Sequence, residues 1–280
     1  MTAAVQADDD FDPGTRKLIR VLVLGALAPA LDTTVVNVAL AALGRGLHIS
    51  VAASQWTLTG YLLAMGMAVP AARWVTERFG GKRAWLWCLG VFLAGSALAG
   101  AAWDIASLIA FRVVQGAAAG VMMPLLTTLL TQAAGRRRLG RMMTIAMTVI
   151  VVVPVFGPVA GGVIVTSLGW RWVFYLNVPV CLAAIWLAWR TIPPDAASRQ
   201  ARPLDVGGLT LLSPGLALVI YGLAEAAGPR GFASTTAWSP LAGGTVLMAA
   251  FTVHALRRQR DPLINLRLLR VRSYAASLAV

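Results

Sequence analysis

The amino-acid sequence predicts an all-α membrane protein, a bundle of transmembrane helices. Of its 280 residues, 58% are hydrophobic and only 12% are charged, and the mean hydropathy is +0.74. Soluble domains usually carry about twice that share of charged residues. Apolar windows of about 20 residues, the length that a helix needs to cross the hydrocarbon layer, recur along the whole chain. These observations exclude a water-soluble fold for the body of the protein.

Eight apolar windows are long enough to form transmembrane helices. They cover residues 21–43, 54–73, 84–103, 105–131, 142–167, 172–189, 205–226 and 237–256. A ninth span is expected to begin at Ser273, close to the last residue, Val280. The first residues are acidic and polar and lead into a full-length span without a small-residue cleavage site, so we expect no signal peptide.

The basic residues indicate how the chain is oriented in the membrane. With the N-terminus in the cytoplasm, 20 of the 24 Lys and Arg residues fall in cytoplasmic segments, whereas the outer loops hold only Arg45, Arg171 and Arg230. This imbalance follows the positive-inside rule and predicts a cytoplasmic N-terminus. Attraction to the anionic headgroups of the lipid bilayer then explains the net charge of +13, and we expect no nucleic-acid partner.

Cysteine and histidine are too few for the common enzyme sites. Cys88 and Cys181 both lie within predicted spans, so neither a disulfide nor a metal site is predicted. His48 and His254 lie at span ends, and the chain shows no paired carboxylates and no nucleophile motif. The loops are also too short for a soluble catalytic domain. We predict that the protein is not an enzyme and needs no cofactor, with a membrane enzyme or assembly factor as the alternative from another class.

Two ionisable residues interrupt the apolar spans, Asp32 in the first and Arg112 in the fourth. An ionisable residue at the centre of a membrane helix costs at least about 2.5–3.5 kcal/mol, so such residues usually face a bundle interior or a water-filled cavity. Measured along each helix from its outer end, Asp32 lies at a depth of about 16 Å and Arg112 at about 10 Å. The two residues are therefore expected at neighbouring levels of one cavity.

Asp32 is a candidate for binding and releasing a proton. Burial favours the neutral form of a carboxyl group and a nearby cation favours its charged form, so a change in the cavity can change the proton occupancy. This is the chemistry of a proton-driven transporter. The alternative is that Asp32 bonds locally with Thr33, Thr34 or Asn37, while the long side chain of Arg112 reaches the nearby membrane surface.

Two further segments have an unusual composition. The fifth span contains VVVPVFGPVAGGVIV, in which Gly157 and Gly161 permit close helix packing and Pro158 removes a backbone hydrogen bond. Simple packing of helices is the alternative explanation. The loop after the second span reads RWVTERFGGKR (73–83), with Glu77 among basic residues and a tight turn at the Gly-Gly pair. A basic loop that only sets the membrane topology is the alternative there.

In chain order, these segments resemble five motifs of the major facilitator superfamily, and specifically of its fourteen-helix drug:proton antiporters. The segments are LDTTVVNVAL (31–40), the loop at 73–83, FRVVQGA (111–117), GPVAGG (157–162) and WRWVFYLNVP (170–179). In the loop, Glu77 stands where aspartate is usual. The loop departs from the family pattern at two positions, with Arg73 where glycine is expected and Gly81 where arginine is common.

The resemblance implies roles for individual residues, and it assigns proton coupling to Asp32 and Arg112. The other implied site residues are Thr33, Asn37, Gln115 and Gly116 in the cavity or helix motifs; Gly157, Pro158, Gly161 and Gly162 in the antiporter motif of the fifth span; and Glu77, Arg78, Gly80, Lys82 and Arg83 in a gating loop. The resemblance also implies a major facilitator type helical bundle. In such a bundle each half is built of inverted repeats, and the substrate site lies between two halves near the membrane midplane.

The resemblance also implies how the chain is organised. A cytoplasmic N-terminal tail (1–20) leads into the N-terminal six-helix transporter half (21–189), a cytoplasmic linker (190–204), two additional transmembrane helices (205–256), and a basic cytoplasmic segment with the start of a truncated ninth span (257–280). A complete member would need six more spans after these. The chain is therefore expected to be the N-terminal portion of a transporter, which needs a missing C-terminal half or a second subunit for activity.

The predicted function is export of amphipathic small molecules or antibiotics across the bacterial inner membrane. Alternating access would carry the substrate, and the proton gradient would supply the energy. The resemblance of the fifth span to the antiporter motif favours export over uptake by a symporter of the same superfamily, which is the alternative within transport. An inactive truncated half is a further alternative.

Overall fold

The computed structural model describes residues 12–195, 205–226 and 235–257 and, for most residues between 134 and 154, the backbone alone. Every regular element in these ranges is a helix. The expected ninth span, the basic segment after residue 257 and most of the predicted linker at 190–204 lie outside the described residues.

The first helix, α1, runs Pro13–Gly46 and is longer than the predicted span. Asp12 caps it, because its carboxylate accepts a hydrogen bond from the N–H of Gly14 at 3.0 Å. Pro13 stands in the first turn, where its missing N–H is not needed. The helix thus begins inside the predicted tail of residues 1–20. The extra turns are stable because Leu18 and Ile19 are buried in the core.

The second helix and the loop after it form a continuous run of short elements. Helix α2 runs Val51–Ala68, with the Ser50 hydroxyl accepting from the N–H of Ala53 at 3.1 Å. A 3₁₀ turn (Val69–Ala71) and the short helix α3 (Ala72–Phe79) follow. Gly80 then adopts a φ of +84°, which glycine reaches without strain, and helix α4 (Gly81–Gly100) begins. The segment predicted as a loop at 73–83 therefore consists of most of the short helix α3, a turn at Gly80 and the start of α4.

Helical backbone then continues from Ile105 to Ser167 as α5. Asp104 caps its start, accepting a hydrogen bond from the N–H of Ser107 at 2.8 Å. Hydrogen bonds from the side chain and then the N–H of Ser107 hold the pKa of the exposed Asp104 below its usual value. The hydrogen bonding between Asp104 and Ser107 fixes where the fourth predicted span begins.

The fourth and fifth spans, predicted as 105–131 and 142–167 with a basic loop between them, are not separated by a break in helical backbone. The run cannot be one straight rod. Arg112 and Gly157 both lie against the same turn of α1, at Asp32 and Thr34, yet 45 residues of straight helix would separate them by about 68 Å. The chain therefore folds back within α5, so that both of its parts lie against α1.

Four more helices follow: α6 (Arg171–Tyr175), α7 (Asn177–Thr191), α8 (Val206–Ala226) and α9 (Thr235–Arg257). Helices α8 and α9 pack against each other, and α8 docks on α2. There the Ser213 hydroxyl donates to the carbonyl of Met67 at 2.7 Å, and Tyr221 stacks on Trp56 with ring centroids 5.7 Å apart. The two additional helices thus form a hairpin on the α2 side of the bundle.

Six helical segments among the described residues are long and apolar enough to cross a membrane, not eight. They are Pro13–Gly46, Gly81–Gly100, Ile105–Ala133, Arg171–Thr191, Val206–Ala226 and Ala237–Arg257. The second predicted span is not among these six. Its helix, α2, carries the polar residues Ser54, Thr57 and Tyr61, which are buried against the bundle. The fifth predicted span is not among the six either, because its described apolar part is the shorter segment Val155–Ser167.

The bundle of α1 to α7 has an apolar core at each end. Leu22, Trp85 and Leu126 belong to one cluster, and Leu43 and Phe174 belong to the other. Along α1, the residues between these clusters include Asp32, which is 1% exposed. The fold therefore places a buried carboxylate in a layer between two apolar ends.

Glycine allows α5 to approach α2 closely. A Cβ atom built on Gly116 would overlap the carbonyl oxygen of Tyr61, and one built on Gly120 would overlap that of Met65. The two positions are one turn apart and form a small-xxx-small seam. Gly116 therefore has a packing role in the structure.

We expect Gly116→Ala to destabilise the chain although alanine favours helix, because the new methyl group would overlap the α2 backbone, and overpacking costs about 1–3 kcal/mol. Gly90→Ala on α4 is the matched control, since no atom lies within 4 Å of its added Cβ. Unfolding can be followed with a thiol-reactive fluorophore, because Cys88 and Cys181 are both free and buried. Equal melting temperatures for the two variants would contradict the close approach.

Candidate functional site

Asp32 of α1 and Arg112 of α5 form an ion pair in the interior of the bundle. The Nη1 atom of Arg112 contacts Oδ2 of Asp32, and both side chains are fully buried. The sequence predicted that they lie at neighbouring depths, and the structure brings them into direct contact. The local alternative, in which Asp32 bonds within its own helix and Arg112 reaches the surface, differs from this geometry.

Two side-chain amides complete the surroundings of the carboxylate. Oδ1 of Asp32 accepts from Nε2 of Gln115 at 3.1 Å and from Nδ2 of Asn177 at 2.8 Å. Gln115 also accepts from Nη1 of Arg112 at 2.7 Å, so it bridges both charges. Asn177 in turn donates to the Ser96 hydroxyl at 3.0 Å. Helices α1, α5 and α7 therefore meet at one carboxylate, and α4 is joined to it through Asn177.

The guanidinium of Arg112 also contacts α2. Its Nε donates to the carbonyl oxygen of Thr57 at 3.3 Å, and its Cζ lies 4.1 Å from the ring centroid of Tyr61. The ring of Phe174 lies at 5.9 Å. A cation over an aromatic face gains about 2 kcal/mol when both are desolvated. We call the six residues Asp32, Ser96, Thr57, Arg112, Gln115 and Asn177, with the ring of Tyr61, the polar core.

The electrostatics of the polar core depend on the charge of Asp32. Removing one partner of a buried ion pair leaves an unpaired charge and typically costs about 3–5 kcal/mol. Neutralising Asp32 with a proton would have the same effect on Arg112. The arrangement is therefore chemically able to convert a proton on one carboxylate into a change in how α5 is held against α1.

The backbone of α1 is locally weakened beside Asp32. Pro29 lacks the N–H that would bond the carbonyl of Gly25. The hydroxyl of Thr33 donates to the carbonyls of Pro29 and Ala30 at 3.3 and 3.0 Å, and that of Thr34 donates to Leu31 at 2.9 Å. Such back-bonding from Thr often bends a helix. The charge therefore lies beside a turn of α1 that lacks one backbone hydrogen bond.

The predicted cavity residues divide into two groups. Gln115 belongs to the polar core, and Gly116 lies at the α2 contact, so both are buried. Thr33 is partly buried, while Asn37 is exposed on another face of α1. The carboxylate of Asp32 was expected to face a cavity, but five helices enclose it because the amides and Arg112 fill the space around it. Thr33 and Asn37 are the two of the four that reach the accessible surface.

The antiporter motif of the fifth span also divides. Gly157 lies against Thr34, where an added Cβ would overlap the Thr34 hydroxyl, and Gly161 packs on Val35. Pro158 is exposed, and nothing lies within 4 Å of a Cβ on Gly162. Gly157 and Gly161 therefore bring the fifth span against α1 within one turn of Asp32, and the other two residues face away.

The predicted gating loop holds one end of the bundle together. The Nζ of Lys82 donates to the carbonyls of Trp189 and Ile192, both at 2.7 Å, at the end of α7. Glu77 pairs with Arg73 at 2.9 Å on the exposed surface of α3. Arg73, one of the departures from the family pattern, thus supplies the cation for Glu77. Arg78 and Arg83 have exposed side chains.

Asp195 is a residue of this loop region that the sequence did not reveal. Its carboxylate accepts from the N–H groups of Lys82 and Arg83 at 2.8 and 3.1 Å, so it caps α4 from the predicted linker. Gly80 is required beside it, because a Cβ there would overlap the Asp195 carboxyl group. The linker is thereby fastened to the start of α4.

We expect Asp195→Ala to open the first turn of α4, because removal of a helix cap costs about 0.5–2 kcal/mol. Hydrogen–deuterium exchange at Lys82 and Arg83 should accelerate about tenfold, which corresponds to about 1.4 kcal/mol. Glu77→Gln is the matched control, since an exposed ion pair contributes about 0–1 kcal/mol and caps no helix. Unchanged exchange in Asp195→Ala would show that this cap does not form.

Four residues of the polar core were missed as site residues by the sequence analysis: Thr57, Tyr61, Ser96 and Asn177. Asn177 stood inside the fifth motif, so a signal existed, but its partner lies 145 residues away. The other three are ordinary polar residues in apolar helices. Across the described residues, no group of three or more His, Cys, Asp or Glu side chains is placed to hold a metal ion.

Comparison with known proteins identifies the fold family. A model described as the Major Facilitator Superfamily matches residues 22–261. The Multidrug resistance protein B homolog of Mycobacterium tuberculosis is 37% identical over 267 residues, which cover 95% of this chain and 49% of that protein. The Tetracenomycin C resistance and export protein of Streptomyces glaucescens is 34% identical over 248 residues, covering 88% and 46%. The chain spans about half the length of the curated relatives it matches.

The structure agrees with these sequence matches. The crystal structure of a D-xylose-proton symporter superposes with a TM-score of 0.56 at 16% identity, covering 86% of this chain and 68% of that one. At such low identity the likeness shows the fold alone, and it confirms the predicted all-α membrane bundle. The family match covers the segments in which the five motifs were found. The chain belongs to the major facilitator superfamily, as those motifs predicted.

Proposed function

We propose that this chain is the N-terminal half of an exporter that exchanges protons for amphipathic small molecules. The observation that carries the proposal is the fully buried pair of Asp32 and Arg112, in a chain whose relatives are named for multidrug resistance and for export. In apolar helices a buried carboxylate is costly, so a function is the simplest reason to keep it.

Asp32 is the proton-binding group in this proposal. In its charged form it accepts hydrogen bonds from Arg112, Gln115 and Asn177. A proton on one carboxylate oxygen removes the negative charge and weakens the hold on Arg112. Because the two residues lie on the leading helices of the two three-helix repeats, this change acts where one half of the transporter would rock against the other.

The direction of transport is proposed from two observations. One relative is named for export of tetracenomycin C and the other for multidrug resistance, which are activities of those proteins. In this chain, Gly157 and Gly161 pack the fifth span against α1 beside Asp32. Substrates of an exporter with such relatives are expected to be amphipathic molecules or antibiotics. No cofactor is needed, since the proton gradient is the energy source, and no catalytic role is proposed.

The active unit is proposed to need a second half. The relatives are about twice as long as this chain, and the substrate site of this fold lies between two halves. The second half would be further residues of the same polypeptide or a second subunit. The location is proposed as the bacterial inner membrane with the N-terminus in the cytoplasm, from the distribution of basic residues.

Transport can be tested in inside-out membrane vesicles from cells that express the complete reading frame encoding this chain. When the lumen is acidified, the vesicles should accumulate ethidium, an aromatic amphipathic cation, and Asp32→Asn should abolish the accumulation because the proton carrier is lost. Asp104→Asn, at the exposed cap of α5, is the control and should keep the activity. Acid-driven movement of ethidium out of the vesicles would instead indicate uptake by symport and overturn the proposal.

The 280-residue chain expressed alone should give no proton-dependent accumulation in the same vesicles, since half a cavity cannot alternate its access. Accumulation by the chain alone, abolished by Asp32→Asn, would contradict the need for a different second half. It would indicate that two copies of the chain assemble into one transporter.

A further inference from the structure

Asn177 lies in the one motif of the sequence to which no role was assigned. It begins α7 and is 1% exposed. Its side chain contacts Asp32 of α1 and Ser96 of α4, at 2.8 and 3.0 Å. Asn177 thus ties three helices together at the proposed proton-binding group.

The hydrogen bonds determine which way the amide of Asn177 points. The Ser96 hydroxyl donates its single hydrogen to the carbonyl oxygen of Phe174 at 2.9 Å. Toward Asn177 it can therefore only accept, because a hydroxyl has one donor. The amide nitrogen must face Ser96, and its second N–H is then directed at Oδ1 of Asp32. In the flipped orientation an amide oxygen would face both the carboxylate and the accepting side of Ser96.

The same orientation has a cost at the other polar atom of the amide. The Oδ1 atom of Asn177 is buried and has no hydrogen-bond partner among the described residues. A buried carbonyl without a partner costs about 1–3 kcal/mol. The orientation that places an N–H on Asp32 thus leaves the amide oxygen unsatisfied.

We infer that Asn177, oriented by Ser96, is a positioning residue that favours the charged form of Asp32 and so sets the pH at which Asp32 takes up its proton. This inference rests on the proposed role of Asp32 as the proton-binding group. A donor to a carboxylate stabilises its charged form, and its loss makes proton uptake easier. Among the described residues, the charged or titratable groups around Asp32 on the other helices are Arg112 of α5, Tyr61 of α2 and Cys181 of α7, and Ser96 of α4 is neutral.

The inference also gives α4 and α7 a part in coupling. When Asp32 binds a proton, Oδ1 becomes a neutral acceptor, and the hydrogen bond from the N–H of Asn177 loses its charge assistance. The link from Asp32 through Asn177 and Ser96 to Phe174 then weakens at its first bond. Proton uptake would therefore loosen α1 from α4 and α7 as well as from α5.

The test is an infrared titration, in lipid nanodiscs, of the protein purified from the complete reading frame that encodes this chain. The band of the protonated Asp32 carboxyl group is assigned by its absence in Asp32→Asn. In Asn177→Ala the midpoint of this band should move to higher pH by about one unit, the size expected for loss of one hydrogen bond to the charged form. Ser96→Ala should move it in the same direction, and Ser96→Thr, which keeps the hydroxyl, should restore the wild-type midpoint.

Ser213→Ala is the matched control, because Ser213 is also a buried serine that donates to a carbonyl of another helix, away from Asp32. It should leave the midpoint unchanged even if it lowers the melting temperature. A midpoint in Asn177→Ala equal to that of the wild type would overturn the inference while leaving the proposed function intact. No Asp32 band at any pH at which the chain stays folded would count against the proposed function itself.

Discussion

The buried ion pair between Asp32 and Arg112 is the constraint on which the rest of the structure depends. Neither charge could enter an apolar bundle alone, so the two helices that carry them must be neighbours. The other hydrogen-bonding positions of Asp32 and Arg112 need partners, and the side-chain amides of Gln115 and Asn177 supply them. Gly116 lets α5 approach α2 closely, and Gly157 and Gly161 let the fifth span approach α1 closely. The helix arrangement therefore follows from the need to enclose one pair of charges.

The same interactions connect stability to function. A buried ion pair is weak support for a fold, because apolar residues of similar size often serve as well. In the proposed mechanism the ion pair adds a response to protons, since one proton on Asp32 removes its negative charge and with it the charge–charge attraction to Arg112. In that mechanism the apolar clusters at both ends would hold the bundle while this central layer changes. At the end that carries Gly80, Lys82 and Asp195 fasten α4 to α7 and to the linker, so these elements are expected to move as one body.

Much of this fold was predictable from the sequence, because lipid forces long apolar helices and makes each buried charge conspicuous. Asp32 and Arg112 were found in that way. Asn177 and Asp195 were not, because their partners lie 145 and 113 residues away and an amide or a linker carboxylate is unremarkable in composition. The reversal of direction within α5 was predicted as a loop, because a run of arginines usually ends a span. The buried setting of Asp32, expected to face a cavity, depends on side chains from five helices and could not be inferred from one.

The most direct test of proton coupling at Asp32 is a measurement of protons released when substrate binds. The protein purified from its complete reading frame would be mixed with ethidium in weakly buffered solution that contains a pH indicator, at a pH where Asp32 is protonated in the resting protein. We predict that ethidium releases protons from the wild type and from Asp104→Asn, and none from Asp32→Asn. Equal release from Asp32→Asn and the wild type would show that another group carries the proton, and it would contradict the proposed role of the buried pair.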